Sequence, residues 1–294
     1  MNAADIATAL KGRRSGAGWT CLCPAHNDHD PSLSVIDRDN KVLVKCRSGC
    51  SQDAVIDALE RLRLWGGKPH DRGARSGSSI PGAGPAKDPM KTWRNARLFG
   101  RNTALDHYFQ SRGILLTDEE APSLRFSPAL WHWPTQSRWP AMLARVSLAT
   151  GTDLTTHQTF LRPDGSGKAP LGQKARLFAA GGRTVGGGVW IGGVTDPTTE
   201  FVVAEGIESL LSALRIFNAS AGCAALSELG VRRLILPPEV RRVRIFADND
   251  ELGQGLAAAH EAWRRWRDEG REVAVSISER VGEDANDVLR RRMA

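Results

Sequence analysis

The chain has 294 residues, 41% hydrophobic and 25% charged, which are globular values that exclude wholesale disorder; at about 150 residues per domain the length allows about two domains with room for a small extra module. No stretch approaches the roughly 18 apolar residues of a membrane span and the N-terminus lacks a signal-peptide core, so a soluble, cytoplasmic protein without a membrane partner is expected. The net charge of +7 is uneven: residues 91–198 hold 13 Lys and Arg against 7 Asp and Glu, while residues 199–294 hold 14 against 16, so the middle of the chain invites a polyanion.

In chain order, Ser32–Ile36 and Lys41–Lys45 alternate apolar and polar residues and read as two strands around a turn. Apolar residues at Val55, Ala58, Leu59 and Leu62 predict a helix over 52–64. Residues 66–90, rich in Gly, Pro and Ser without apolar periodicity, read as a flexible linker after a small module at 1–65. A helix is predicted over Trp93–Arg112. A β-rich stretch then covers Ala141–Leu148, Asp153–Leu161 and Leu177–Ile191, making 91–198 a basic α+β subdomain. From residue 199 to 294, strands at Phe201–Ala204, Val243–Ala247 and Glu272–Ile277 alternate with helices at Ile207–Phe217 and Leu252–Asp268, the pattern of a parallel α/β sheet.

Four of the five cysteines lie between residues 21 and 50, a clustering that favours metal ligation over disulfides in a cytosolic chain. Cys23-Pro-Ala-His26 is followed, after 19 intervening residues, by Cys46-x3-Cys50. Two short turns joined through a hairpin supply four donors for a closed, structural Zn²⁺ site, with Cys21, His29 and His70 as alternative ligands. Such a site contributes on the order of 10 kcal/mol of apparent folding free energy to a module with little core of its own. Cys223 reads as an ordinary buried thiol.

Carboxylates cluster after three successive strands of the last third: Glu205 and Glu208, then Asp248 and Asp250, then Glu283, Asp284 and Asp287. One such cluster is adequately explained as a helix cap and a solvated turn. Three at the carboxyl ends of parallel strands, where α/β sheets place functional groups, point to a shared site. Two charges about 4 Å apart repel by roughly 4 kcal/mol at an effective dielectric near 20. A hard divalent cation removes that cost, and oxygen ligands around a partly hydrated ion suit Mg²⁺. In the middle segment, Trp131, Trp133 and Trp139 read as core packing, with stacking on nucleic-acid bases as the alternative. Gly186-Gly187-Gly188 lacks a following Walker lysine and reads as a tight turn.

The Cys-Pro-x-His run, Asp30-Pro31-Ser32-Leu33-Ser34-Val35 and Val44-Lys45-Cys46 before a Gly-Cys pair resemble the zinc ribbon of bacterial DnaG-type primases, which engages single-stranded template. The Cys-x3-Cys spacing, in place of the usual Cys-x2-Cys, points to the phage and plasmid branch. The acidic clusters resemble the Toprim domain shared by primases, topoisomerases and some nucleases. That resemblance implies Mg²⁺ at Asp248 and Asp250 (Mn²⁺ substituting in vitro), Glu205 at the metal centre or as general acid/base, Glu208 beside it, and Asp284 and Asp287 as the late acidic motif. Arg145, His157, Lys168, Lys174 and Arg176 fall where the preceding primase subdomain lines template and nucleotide. The expected activity is template-dependent synthesis of short RNA primers on single-stranded DNA from nucleoside triphosphates. A Toprim nuclease and a non-catalytic single-strand-binding accessory protein are the alternatives. No ATPase motif is present, so any replicative helicase partner is a separate chain. A bacterial, plasmid or phage origin fits this resemblance.

Overall fold

The computed structural model describes residues 2–25, 28, 31–38, 41–46, 50, 52–65, 88–179, 184–193 and 198–293. The linker expected at 66–90 lies outside the described residues except for its last three, as do His26, His29 and His70. Met1–Ala83 and Gly84–Ala294 are two compact units. Among the described residues no helix is long and apolar enough to cross a membrane.

The N-terminal unit runs α1 (Ala3–Ala9), β1 (Arg13–Ser15), β2 (Gly18–Cys21), β3 (Leu33–Arg38), β4 (Lys41–Cys46) and α2 (Gln52–Arg61), with the strands in an antiparallel sheet in chain order. The expected hairpin is β3–β4 and the expected helix is α2. The helix α1 and the strands β1 and β2 escaped the sequence reading because each is short. Asn2 and Asp5 form a reciprocal capping box on α1, and Asp37 of β3 accepts the Ala3 N–H at 3.0 Å. The helices cover Leu33, Val35 and Val44 with Ile6, Val55 and Leu59 in a small core.

The C-terminal unit begins with α3 (Lys91–Arg94), β5 (Arg97–Leu98), α4 (Ala104–Gln110), β6 (Leu124–His132), β7 (Ser137–Ser147), β8 (Asp153–Phe160) and β9 (Arg176–Phe178). Strands β5 to β9 form an antiparallel sheet in chain order. The single helix predicted over 93–112 is broken. Asn102 is left-handed (φ 60°), its N–H is taken by Asp106, and Thr103 restarts the helix by accepting the Asp106 N–H.

The chain continues through β10 (Val189–Ile191), β11 (Glu200–Ala204), α5 (Ile207–Phe217), β12 (Ala221–Ala224), α6 (Glu228–Arg233), β13 (Arg242–Ala247), α7 (Gln254–Asp268), β14 (Glu272–Ile277) and α8 (Ala285–Met293). The second sheet has the order β10-β12-β11-β13-β14 and is parallel except for β10. The stretch read as one β region over 177–191 is therefore split, with β9 in the first sheet and β10 in the second.

Alternation in β11 sends Phe201 and Val203 towards α7, where Trp266 is fully buried, and Val202 and Ala204 towards α5. That second core also takes in Tyr108 of α4, Met142 and Val146 of β7 and Leu289 of α8. One packed interior thus joins the antiparallel and parallel sheets. Polar ties cross it: Arg215 pairs with Glu120, and buried Asn286 donates to the Arg112 carbonyl at 2.8 Å and to Ser212 Oγ at 3.0 Å.

Asn286→Ala removes the buried amide that bonds both the Arg112 carbonyl and Ser212 Oγ. Loss of about 2 kcal/mol is expected. A urea-unfolding midpoint equal to that of wild type would contradict this.

Candidate active site

In the parallel sheet Ala204 stands opposite Phe246, so Glu205 and Asp248 emerge from adjacent strands at the same end. The loops beyond are laced together. Asn249 Nδ2 donates to the Ser278 carbonyl at 2.9 Å, and the Gly282 N–H donates to the Asn249 carbonyl at 2.5 Å. This return path brings Asp284 and Asp287 into the electrostatic surroundings of Asp248. A cleft at the strand ends is lined by Glu205, Glu228, Phe246, Asp248 and Gly255.

Burial and then the neighbouring charges of Asp248 and Glu228 push the Glu205 carboxyl up to about 7. Burial, followed by Asp284 and Asp250, pushes Asp248 up to about 6. Asp248 Oδ1 is buried without a hydrogen-bond partner. An orphaned carboxylate oxygen amid other carboxylates is costly unless a cation meets it. The donor set, hard oxygens on at least two strand ends, fits Mg²⁺.

Asp250 differs. Its carboxylate accepts the N–H groups of Leu252, Gln254 and Gly255 at 3.0, 3.0 and 2.7 Å, and these bonds hold its pKa below the ordinary carboxylate value. Two glycines make this possible. Gly253 occupies the left-handed turn (φ 66°) before α7, and a Cβ on Gly255 would meet the Asp248 carbonyl at 2.5 Å. Asp284 Oδ1 accepts from Asn286 N at 2.8 Å and Asp287 N at 3.0 Å, so the late acidic pair also starts α8.

The cations come from the antiparallel sheet. Arg176 of β9 offsets the charges of both Glu205 and Asp248. Lys168 pairs with Glu208 at 3.0 Å, and the Tyr108 hydroxyl donates to the same carboxylate at 2.5 Å. Burial alone would raise the Glu208 carboxyl, but Lys168 and the Tyr108 hydrogen bond overcome it and hold the group at about 2. Glu208 is thus occupied by protein partners. His157 is buried beside this cluster and its pKa is lowered to about 4, first by burial and then, against the pull of Glu208, by Arg176 and Lys168; its Nδ1 has no partner. Arg145 is tied to Asp153 at 2.5 Å and to the Gly151 carbonyl at 3.0 Å within the β7–β8 turn. Lys174 is exposed. Glu228 and Tyr108 were missed. Glu228 follows the Ala-Gly-Cys-Ala strand β12, too short and small to read as a strand, and the Tyr108 contact spans 100 residues.

In the N-terminal unit the Cys23, Cys46 and Cys50 sulfurs lie within 4.8 Å of one another. Burial, and then the neighbouring thiols of Cys46 and Cys50, push Cys23 up to about 12 against a hydrogen bond from the Ala25 backbone. Asp28 accepts from Cys23 N at 2.6 Å and from Ser32 Oγ at 2.6 Å, bracing the turn. Crowded thiols suit a thiophilic divalent ion. Cys21 is buried in β2 and outside this group, and His26 lies outside the described residues.

Because the folded-state pKa values of Asp248 and Glu205 exceed their ordinary 3.8 and 4.5, the metal-free folded chain keeps protons that the unfolded chain has lost, and stability falls as pH rises through 3.8–6 and 4.5–7. Without metal, Asp248→Asn is expected to melt about 4 °C above wild type at pH 8. The difference should close near pH 4. Equal melting at pH 8 would remove the electrostatic account.

Residues 84–191 match a family model described as a domain of unknown function (DUF7146). No curated protein matches the sequence. Among solved structures, the primase fragment of the bacteriophage T7 primase-helicase protein is similar over 92% of this chain and 96% of that chain, at 12% identity and a TM-score of 0.39. Residues 200–294 match the model of the Toprim domain, so the strands and carboxylates of this cleft belong to a Toprim domain at the C-terminal end of the chain.

Proposed function

We propose that the protein is a DNA primase that makes short RNA primers on single-stranded DNA by metal-dependent nucleotidyl transfer. The observation that carries the reading is the Toprim cleft itself. Asp248 presents a buried, unpartnered oxygen beside Glu205, and Arg176 supplies positive charge against both. The order of parts along the chain, a cysteine cluster, then a basic sheet, then the Toprim domain, supports primase over nuclease.

Asp248 and Asp250 would hold Mg²⁺, with Asp284 and Asp287 nearby. Bound there, the ion supplies Lewis-acid stabilisation of the attacking and leaving oxygens. Glu205, with its pKa near neutrality, takes the proton of the attacking 3′-hydroxyl as the new phosphodiester bond forms and pyrophosphate leaves. Arg176 orients the incoming triphosphate, and Lys174 lies two residues before it. Glu208 acts through Lys168, fixing that ammonium at the edge of the site. Cys23, Cys46 and Cys50 would hold Zn²⁺, with His26 as the fourth ligand expected from the sequence, in a module that grips template.

Asp248→Ala should abolish labelled primer formation on circular single-stranded DNA with Mg²⁺ while leaving strand binding within about twofold of wild type. Equal synthesis by the variant would sink the assignment, and metal-dependent loss of the template by wild type without primers would replace it with a nuclease. Chelation of zinc should unfold the N-terminal unit and leave the C-terminal unit folded. An N-terminal unit that keeps its hydrogen-exchange protection after chelation would refute the zinc staple.

A further inference from the structure

The hairpin joining β6 to β7 carries an aromatic pair that the core does not use. Trp133 is 75% exposed and Trp131 38% exposed, and their rings meet edge to face with centroids 6.2 Å apart. A register shift between Ser127 and Leu130 precedes them. Beyond it Trp131 stands directly opposite Arg138, whose guanidinium lies 5.8 Å from the indole centroid and donates to the Ala129 carbonyl at 3.0 Å.

The tip is held by its own polar bonds. The Thr135 hydroxyl lies 2.6 Å from His132 Nδ1 and 2.7 Å from Ser137 Oγ, and Trp139 Nε1 donates to Ser137 Oγ at 2.9 Å. Buried His132 donates from Nε2 to the Lys174 carbonyl at 2.9 Å. The hairpin is therefore fastened to the segment that leads into Arg176, the cation set against Glu205 and Asp248.

The charge pattern narrows the partner. Residues 124–147 contain Arg125, Arg138 and Arg145 and no Asp or Glu. Residues 165–178 contain Lys168, Lys174 and Arg176, again without an acid. Exposed indoles beside a stacked guanidinium, in a stretch free of carboxylates, suit unpaired bases joined by phosphates. Every base offers a π-face to an aromatic ring, and Arg138 beside Trp131 supplies a cation for the backbone.

We propose that the Trp131–Trp133 hairpin is a stacking platform for the bases of single-stranded DNA, a subsite outside the acidic cleft. This rests on the nucleic-acid reading above but not on primer synthesis. Trp133 is mostly in solvent, so its substitution leaves packing intact.

The test is anisotropy of a labelled thymidine oligonucleotide with the full chain, without nucleoside triphosphates. Trp133→Ala should weaken binding about tenfold, and Trp133→Phe should keep most of the affinity. The salt dependence should not change, because no phosphate contact is removed. Affinity for blunt duplex DNA, whose base faces are already stacked, should be the same for wild type and variant. Wild-type affinity in Trp133→Ala would overturn the inference. So would a change from dimer to monomer on sedimentation with unaltered DNA affinity, which would assign the pair to contact between copies. Primer synthesis run in parallel separates the two readings. A wild type that needs Trp133 to bind but makes no primers keeps the platform and refutes the primase. A wild type that makes primers beside a Trp133→Ala variant of full affinity refutes only the platform.

Discussion

Carboxylates gathered at one end of a parallel sheet repel one another, and much of the C-terminal unit is arranged around that repulsion. Glu205 and Asp248 sit on neighbouring strands with Glu228, Asp250, Asp284 and Asp287 around them. Desolvation makes the ionised forms costlier still, which is why both central pKa values rise. The protein relieves part of this strain internally. Backbone N–H groups at the start of α7 take up Asp250, the first turn of α8 takes up Asp284, and Arg176 contributes charge from the other sheet. What stays unrelieved is Asp248 Oδ1, which is buried without a hydrogen-bond partner among those carboxylates.

Relief from the other sheet requires that the two sheets be fixed to one another. The shared core running from Tyr108 and Met142 to Leu210 and Leu289 does this by packing, and Asn286, Glu120 and Arg215 do it by hydrogen bonds. Glu208 shows the consequence. It lies three residues from Glu205 on the first turn of α5, yet its carboxylate faces Lys168 and Tyr108, both supplied by the antiparallel part of the unit. Two acids close in sequence are thus sent to different tasks, one raised towards neutrality and one held fully ionised.

The cysteine cluster poses a parallel problem at smaller scale. The N-terminal unit has a core of a few aliphatic side chains on a four-stranded sheet. Three thiols brought within 4.8 Å beside that core are a donor set that fits a thiophilic cation, in a unit too small to gain much from burial alone.

Periodicity in the sequence already marks β11, α5, β13, α7 and β14, because long elements with a buried face leave a repeating apolar signal. The same chain order brings Glu205, Asp248 and Asp250 to strand ends. The pairing of Cys23 with Cys46 and Cys50 follows from a hairpin whose two strands alternate cleanly. Other features were decided only by tertiary contact. The helix expected over 93–112 yields to a left-handed Asn102 and a strand pair at Arg97–Leu98. The strand β12 is too short and small to announce itself, and so hides Glu228. Lys168 meets Glu208, and Tyr108 reaches it across 100 residues, only because two sheets share one core. Of the three tryptophans of the β6–β7 hairpin, Trp139 packs against Ala141 and Phe160 as its apolar character suggests, whereas Trp131 and Trp133 stand in solvent, since a one-dimensional pattern records how apolar a residue is and not which side of a bulged strand it faces.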